Sequence, residues 1–140
     1  VVKVKQYAEE FGIIHLLDKK LGEISGGERQ IVSICSAIVQ DTNLVILDEP
    51  TSALDIKNQH VVLSLIKKIS NEQGKTFVLS SHNPNHALYL ESNVFLLKSG
   101  KIVAQGQASD IVNVDGLRTV YGDDICYSNE LSYREISFKE

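Results

Sequence analysis

Apolar side chains recur at helical spacing in two segments of the chain, residues 26–40 and residues 56–73. A spacing of i, i+3, i+4 and i+7 places side chains on one helix face, so both segments are predicted to be amphipathic helices. Asp55 directly precedes the second segment and is a predicted N-cap, because its side chain can accept from N–H groups of the first turn. The apolar positions are Ile31, Ile34, Cys35 and Ile38 in the first segment and Val62, Leu65, Ile66 and Ile69 in the second.

Short apolar runs follow each of these helices. Residues 43–47 and 76–80 are mostly apolar without a polar alternation, a pattern typical of buried parallel strands. Residues 94–97 and 102–104 are joined by the polar turn 98–101 and predict a hairpin.

The remaining elements are shorter. One or two helices are predicted over residues 3–20 with an interruption at Gly12, and Pro84 suits the first turn of a helix that ends near Leu90. A further helical piece is predicted near residues 108–121, ahead of a weakly patterned tail. Helices that alternate with strands indicate an α/β sheet with helices on its faces.

Composition is that of a soluble globular domain. The 140 residues suffice for one core, with 43% hydrophobic and 23% charged residues. A net charge of −4 without a basic stripe argues against nucleic-acid binding, and the apolar runs are too short to span a bilayer. Cys35 and Cys126 match no metal or redox spacing, so both are expected to be reduced thiols.

Gly74-Lys75-Thr76 matches the end of the phosphate-binding loop G-x-x-x-x-G-K-[ST]. The first glycine of that loop would fall at position 69, which is Ile69. A phosphate loop also follows a strand and opens a helix, whereas here a helix comes first and a strand follows. We therefore expect a polar turn that does not bind a nucleotide.

Two carboxylates end the strand predicted at residues 43–47. Because ligands bind at the carboxyl ends of strands in α/β folds, Asp48 and Glu49 are expected at an active edge. Asp48 is a candidate Mg²⁺ ligand, directly or through water, and Glu49 is a candidate general base. A charged turn before Pro50, without chemistry, is the alternative.

Ser25-Gly26-Gly27-Glu28 begins the helix predicted at residues 26–40. The Ser25-x-x-Glu28 spacing is a capping box and gives both residues a structural role. It does not explain Gly26 and Gly27, which are poor helix formers. Two glycines at the positive end of a helix let an anion approach the backbone closely, so a phosphate site is predicted.

These motifs, in this order, resemble those of the ATP-binding-cassette (ABC) ATPase family. By that resemblance, Ile24–Glu28 is the signature motif, with Ile24 for the usual leucine and Glu28 for the usual glutamine. Leu44–Asp48 resembles the Walker B strand, and Glu49 takes the place of the catalytic base.

Two further segments extend the resemblance. Ser52–Asp55 resembles the D-loop, which communicates across the family's dimer, and His82 resembles the switch histidine that contacts the γ-phosphate of ATP. The resemblance implies ATP and Mg²⁺ as cofactors and a second ABC subunit as a partner. Ser25, Gly26, Gly27, Glu28 and Asp55 would bind the nucleotide across that dimer, with Glu49 and His82 catalytic.

Three parts of the family pattern do not precede the signature here: the Walker A loop, an adenine-stacking aromatic residue and the glutamine loop. The chain also contains no methionine and begins with Val1. The resemblance therefore implies a C-terminal fragment that is unlikely to hydrolyse ATP alone.

The implied fold is a partial P-loop (RecA-like) α/β sheet with flanking helices and without the Walker A strand. Such a sheet is expected to be gapped, rearranged or completed by a partner. The expected parts are the end of a helical subdomain (1–25), the signature, Walker B and switch-histidine core (26–105), and a C-terminal segment (106–140).

Leu54–Gln59, Ser81–Ala87 and Val120–Gly122 resemble ATPases of bacterial importers for ferric siderophores, haem and cobalamin. That likeness implies a cytoplasmic subunit, peripheral on the inner face of the membrane, that couples ATP hydrolysis to import through membrane permeases. An external protein would deliver cargo of the iron-siderophore type, and neither nucleic-acid binding nor bilayer insertion is implied.

Other interpretations stay open. A chromosome or DNA-repair ABC ATPase would be accompanied by coiled-coil heptads, and a regulatory module would retain the motifs without turnover. His82 and His86 have a zinc-like spacing, but Pro84 interrupts the segment. His15 and His60 are expected on helix surfaces, and the acidic pair at 123–124 in a solvated turn.

Overall fold

A computed structural model describes residues 2–122 of the chain. The described residues divide into two compact units, residues 2–82 and residues 83–122, which are described separately. The elements of the first unit are α1 (Val2–Glu10), 3-10 turns at Ile14–Leu16 and Leu21–Glu23, α2 (Gly26–Val39), β1 (Leu44–Leu47), α3 (Ile56–Gln73) and β2 (Thr76–Leu79). The elements of the second are α4 (Pro84–Leu90), β3 (Asn93–Lys98), β4 (Lys101–Gln107), α5 (Ala108–Ile111) and α6 (Val114–Tyr121).

The strands form two separate two-stranded sheets. β1 pairs with β2 in parallel, from Leu44 opposite Thr76 to Leu47 opposite Leu79. β3 and β4 form the antiparallel hairpin that the sequence predicted, with an irregularity between Leu96 and Leu97. No continuous sheet joins the four strands of the described residues, in agreement with the expectation of a gapped, rearranged or partner-completed sheet.

The helix boundaries follow the capping residues. Ser25 Oγ accepts from Glu28 N–H at 3.2 Å, and Glu28 Oε2 accepts from Ser25 N–H at 2.7 Å, which completes the predicted capping box of α2. Asp55 Oδ1 accepts from Asn58 N–H at 2.8 Å and caps α3 as predicted. Gly74 ends α3 in the left-handed conformation, with φ of 64°.

The buried apolar residues of the first unit come from α2 and α3 and also from α1, the segment that follows α1, and β1. All eight apolar positions predicted from the helical spacing are buried, so both periodicities are confirmed. Cys35 belongs to this core as a free cysteine, and burial raises the pKa of its thiol. Cys126 lies outside the described residues.

The prediction that β1 and β2 are buried strands is wrong for one face of their sheet. Val45 and Leu47 are buried, but Leu44 and Ile46 are 49% and 70% exposed, and Val78 on β2 is 51% exposed. A strand is buried on both faces only where elements pack on both sides. Within the first unit, residues 2–82, no element fully covers the face that carries these three side chains.

Lys75 has a structural role, as expected for the turn that precedes β2. The side chain is buried, and its Nζ donates to Asp41 Oδ1 at 2.7 Å and to the Thr42 carbonyl at 3.1 Å. Hydrogen bonds from Lys3, and then from Lys75, lower the pKa of Asp41 to about 2. Lys75 therefore joins the segment before β1 to the segment before β2.

The second unit packs its helices on the hairpin. Its apolar cluster comprises Ala108, Val112 and Leu117 with Ala87, Leu88 and Val94. Pro84 lies in the first turn of α4, as predicted, and Lys98 Nζ donates to the Thr119 carbonyl at 2.9 Å. Tyr121 is the last residue of α6, and the predicted acidic turn at 123–124 lies outside the described residues. None of the helices in residues 2–122 has the length and apolar character needed to cross a membrane.

Candidate functional site

The acidic pair lies at the carboxyl edge of the β1–β2 sheet. Because Leu47 is opposite Leu79, the residues that follow the two strands are neighbours, and Ser80 N–H donates to the Leu47 carbonyl at 3.0 Å. The Ser80 hydroxyl donates to Asp48 Oδ1 and accepts from Glu49 N–H at 2.9 Å. One hydroxyl thus bonds both residues of the pair.

Glu49 has an unusual backbone conformation. Its φ of 44° is in the left-handed region, which costs a residue with a Cβ roughly 1–2 kcal/mol. Its carbonyl accepts from Ser52 N–H at 3.2 Å, from Ser52 Oγ at 3.0 Å and from Gln30 Nε2 at 3.5 Å. These bonds compensate the strain and join the start of α2 to the acidic strand end. Strain of this kind concentrates at functional sites.

Glu49 and His82 are in direct contact. His82 Nδ1 is 2.9 Å from Glu49 Oε2, and because an ionised carboxylate only accepts, Nδ1–H is the donor. The Glu49 side chain is 36% exposed and the His82 side chain is 74% exposed, so a ligand can reach both. The structure therefore brings together the two residues that the sequence singled out for catalysis, 33 positions apart.

The strand end offers one carboxylate oxygen of the kind that a hard divalent cation binds. Asp48 is exposed, and its bond with Ser80 uses Oδ1 and leaves Oδ2 available as an oxygen ligand. Mg²⁺ is commonly held by one or two carboxylates with waters and phosphate oxygens completing its shell. Within the described residues no group of three or more His, Cys, Asp or Glu side chains could hold a metal ion.

The two glycines at the start of α2 have different surroundings. A Cβ on Gly26 would meet no atom within 4 Å, so its backbone is open to another molecule. A Cβ on Gly27 would lie 3.3 Å from the Ala53 carbonyl oxygen and 3.6 Å from Leu54 Cδ2. The close approach of the Ala53 backbone therefore explains why position 27 is a glycine. No contact within the described part of the chain explains the glycine at position 26.

The Glu28 side chain folds back on the helix start. Its bonds with Ser25, first to the backbone N–H, lower the pKa of the Glu28 carboxyl and keep it ionised. His15 Nε2 lies 3.7 Å from Glu28 Oε1. His15 is exposed on the 3-10 turn at Ile14–Leu16, so the expected surface position is confirmed.

A cleft of about 460 Å³ joins the signature segment to the segment around Asp55. Buried apolar side chains form part of its wall and polar groups from the two helix starts form the rest. The lining residues are Phe11, Gly12, Ile13, His15, Ser25, Gly27, Glu28, Ile31, Ala53, Leu54, Asp55 and Asn58. Asp55, which the family resemblance assigns to the D-loop, lines this cleft and also caps α3.

Sequence reasoning missed two residues of the acidic site, Ser80 and Gln30. The signal for Ser80 was present, because parallel pairing of residues 43–47 with 76–80 places it beside Asp48. Nothing in the sequence indicated that Gln30 bonds the Glu49 carbonyl.

Known proteins resemble this chain closely. The sequence profile of ABC transporters matches residues 1–52. The ferric enterobactin transport ATP-binding protein of Escherichia coli is 39% identical over 111 residues, which cover 79% of this chain and 41% of the relative. The iron(3+)-hydroxamate import ATP-binding protein of Bacillus subtilis is 35% identical over 118 residues, 84% of this chain and 44% of the relative. The chain belongs to the ABC transporter family.

A third ABC relative, the molybdenum import ATP-binding protein ModC 1 of Azotobacter vinelandii, is 35% identical over 123 residues, 88% of this chain and 34% of the relative. The chain spans less than half the length of each of these three proteins.

Solved structures of ABC proteins share the fold. An inward-facing structure of a protein assigned to the metal-chelate type of ABC transporter is 32% identical, with a TM-score of 0.77 over 86% of this chain and 47% of that chain. The dimeric ATP-binding cassette MJ0796, bound to ADP and Pi, is 28% identical, with a TM-score of 0.70 over 76% of this chain and 46% of that chain. The mixed α/β architecture is thus that of part of an ABC ATPase cassette.

Proposed function

We propose that the chain is the C-terminal part of the ATP-hydrolysing subunit of an ABC importer. The observation that carries the proposal is the cluster at the edge of the β1–β2 sheet, where Asp48, Glu49 and His82 meet. It offers an oxygen ligand for a cation, a carboxylate base and an exposed imidazole at one edge of the sheet.

In this proposal Glu49 orients the attacking water and accepts its proton, because its carboxylate is partly exposed and fixed by His82 at 2.9 Å. The His82 ring contacts the γ-phosphate and stabilises the charge that develops there. Asp48 would hold Mg²⁺, directly or through water, and the bound ion would neutralise phosphate charge.

The signature residues are proposed to act on a nucleotide held mostly by a second ABC subunit. Ser25, Gly26, Gly27 and Glu28 begin a 14-residue helix whose N-terminus carries partial positive charge, and the open backbone at Gly26 allows a phosphate to approach. Asp55 lines the same cleft. The dimeric cassette among the similar structures supports a two-subunit arrangement.

Two relatives carry names that refer to iron chelates, ferric enterobactin and iron(3+)-hydroxamate, and a third is a molybdenum importer. The names of the iron(3+)-hydroxamate and molybdenum relatives both refer to import, which supports an importer. An iron-siderophore cargo is the more specific proposal. The subunit is proposed to be cytoplasmic and peripheral on the inner membrane face, bound to permease subunits without inserting into the bilayer or binding nucleic acid.

The test is Glu49→Gln in the intact protein that carries this chain, with ATP turnover and ATP binding measured in parallel. We expect turnover to fall at least about 100-fold while ATP still binds and the two subunits remain associated, because the base is lost and the nucleotide contacts are kept. Glu72→Gln, on exposed helix surface, is the matched control.

Unchanged turnover in Glu49→Gln excludes Glu49 as the base. Absence of turnover in the unsubstituted intact protein favours the regulatory-module alternative, and turnover stimulated by DNA favours the chromosome or DNA-repair alternative. The 140-residue chain by itself is expected not to hydrolyse ATP. Uptake of ferric siderophores compared with molybdate in a deletion strain tests the cargo.

A further inference from the structure

We infer that Ser80 is a positioning residue of the ATPase site, whose hydroxyl fixes the Asp48 carboxylate and the Glu49 backbone in one arrangement. The inference rests on the proposed function, since it concerns the same strand end. It adds a residue from the end of β2 that is neither an acid nor a histidine.

The hydroxyl has one hydrogen to donate and lone pairs to accept with, and Ser80 uses both capacities. It donates to Asp48 Oδ1 and accepts from Glu49 N–H at 2.9 Å. The Ser80 backbone is itself held, because its N–H donates to the Leu47 carbonyl at 3.0 Å in continuation of the parallel ladder. The hydroxyl therefore fixes both acids that follow β1 relative to the end of β2.

The bond to Glu49 N–H matters because of the strained backbone at this residue. With φ at 44°, Glu49 is held in a sparsely populated conformation from which the Oε2–His82 contact is made. Loss of the acceptor at Ser80 removes one of the bonds that oppose relaxation to negative φ. Such relaxation would redirect the Glu49 side chain away from His82.

The bond to Asp48 Oδ1 determines which oxygen remains for a cation. While Ser80 occupies Oδ1, Oδ2 is the available ligand, and the rotation of the carboxylate is restricted. Without the hydroxyl, Asp48 is an exposed and rotating carboxylate that has to be ordered when the ion binds. Ser80 is thus expected to affect the cation requirement as well as the rate.

The experiment compares Ser80→Thr with Ser80→Val in the intact protein. These side chains have nearly the same shape and suit a strand end equally, but only threonine keeps the hydroxyl. Steady-state ATP turnover is measured over a range of Mg²⁺ concentrations, and melting temperatures are recorded for both variants. Ser36→Ala removes a hydroxyl that donates to Val32 O on the exposed side of α2 and serves as the control.

We expect Ser80→Val to lower kcat roughly 10- to 100-fold with KM for ATP unchanged within about twofold, the pattern of an interaction that acts in the transition state. The Mg²⁺ concentration for half-maximal turnover is expected to rise several-fold. A change of that size is what the loss of one hydrogen bond that orders the Asp48 carboxylate would produce. Ser80→Thr is expected to restore both quantities to near those of the unsubstituted protein.

Unaltered kcat and Mg²⁺ dependence in Ser80→Val overturn the inference, and so does equal impairment of the threonine and valine variants, since packing would then be the cause. If valine prevents folding, Ser80→Ala takes its place with the same expectations. Glu49→Gln is measured beside them. Absence of turnover in the unsubstituted protein refutes the proposed function, and retained turnover in Glu49→Gln refutes Glu49 as the base. Loss of turnover in Glu49→Gln together with normal Ser80→Val refutes only the role of Ser80.

Discussion

Gly26 and Gly27 provide a comparison of two adjacent residues, one predicted to be constrained by a ligand and the other by this chain. Both are in the first turn of α2, so the same substitution, Gly→Ala, changes helix propensity similarly at each. Only Gly27 is approached by other atoms of the chain, the Ala53 carbonyl oxygen and Leu54 Cδ2. We predict that Gly26→Ala stabilises the protein and Gly27→Ala destabilises it, and that both variants lose contact with the nucleotide.

The magnitudes follow from the local geometry. Alanine is favoured over glycine by about 1 kcal/mol within a helix and by roughly half of that in a first turn, and Gly26→Ala meets nothing within 4 Å, so it should stabilise by ~0.5 kcal/mol. Gly27→Ala gains the same amount but places Cβ 3.3 Å from the Ala53 oxygen, which has to move by a few tenths of an ångström. Overpacking of this kind costs about 1–2 kcal/mol, which leaves a net loss of ~0.5–1.5 kcal/mol.

The free energy of unfolding from urea titration and the melting temperature measure this difference. A difference of about 1–2 kcal/mol between the variants corresponds to a separation of roughly 2–8 °C in the melting temperature of an intact domain of about 150–250 residues. ATP turnover of the intact protein should fall in Gly26→Ala although that variant is the more stable one. Turnover equal to that of the unsubstituted protein in Gly26→Ala, or equal stability of the two variants, would refute the reasoning.

Three further predictions concern stability. Asp55→Ala removes the N-cap of α3 and should cost about 1 kcal/mol of unfolding free energy in urea titration, whereas Asp55→Asn, which keeps an accepting oxygen, should cost much less. The hydrogen bonds from Lys3 and then Lys75 hold the pKa of Asp41 at about 2, below the value near 4 of an unfolded chain, so the stabilisation from this group is complete above pH 4 and is lost as pH falls towards 2. Urea titrations from pH 2 to 6 should show that slope, and Asp41→Asn should flatten it. Lys75→Met removes the two hydrogen bonds of a buried ammonium and should lower the unfolding free energy by about 2 kcal/mol, yet leave the ATP affinity of the intact protein unchanged; weaker ATP binding in a folded variant would contradict the structural role assigned to the turn.

Much of the secondary structure could be predicted because its signals are local. The apolar positions of α2 and α3 repeat at helical spacing, and the caps at Ser25 and Asp55 act within three residues of the side chains that provide them. The left-handed turn at Gly74 likewise needs only a residue without a Cβ. These features depend on neighbours in sequence, and the sequence determined them without knowledge of the fold.

The chemistry of the strand end could be predicted only in part. The residue types at 48, 49 and 82 indicated a cation ligand, a base and an imidazole, but their contact depends on parallel pairing of β1 with β2 across more than 30 positions. The bonds of Ser80 follow from that pairing, whereas the contact of Gln30 with the Glu49 carbonyl depends on the position of α2 beside the strand end. Tertiary structure also exposed Leu44 on a strand whose apolar run had predicted burial, since burial depends on which elements pack on each face. The sequence by itself thus determined which elements form and which groups carry chemistry, whereas the distances and backbone strain that prepare those groups arose only from packing between segments distant in sequence.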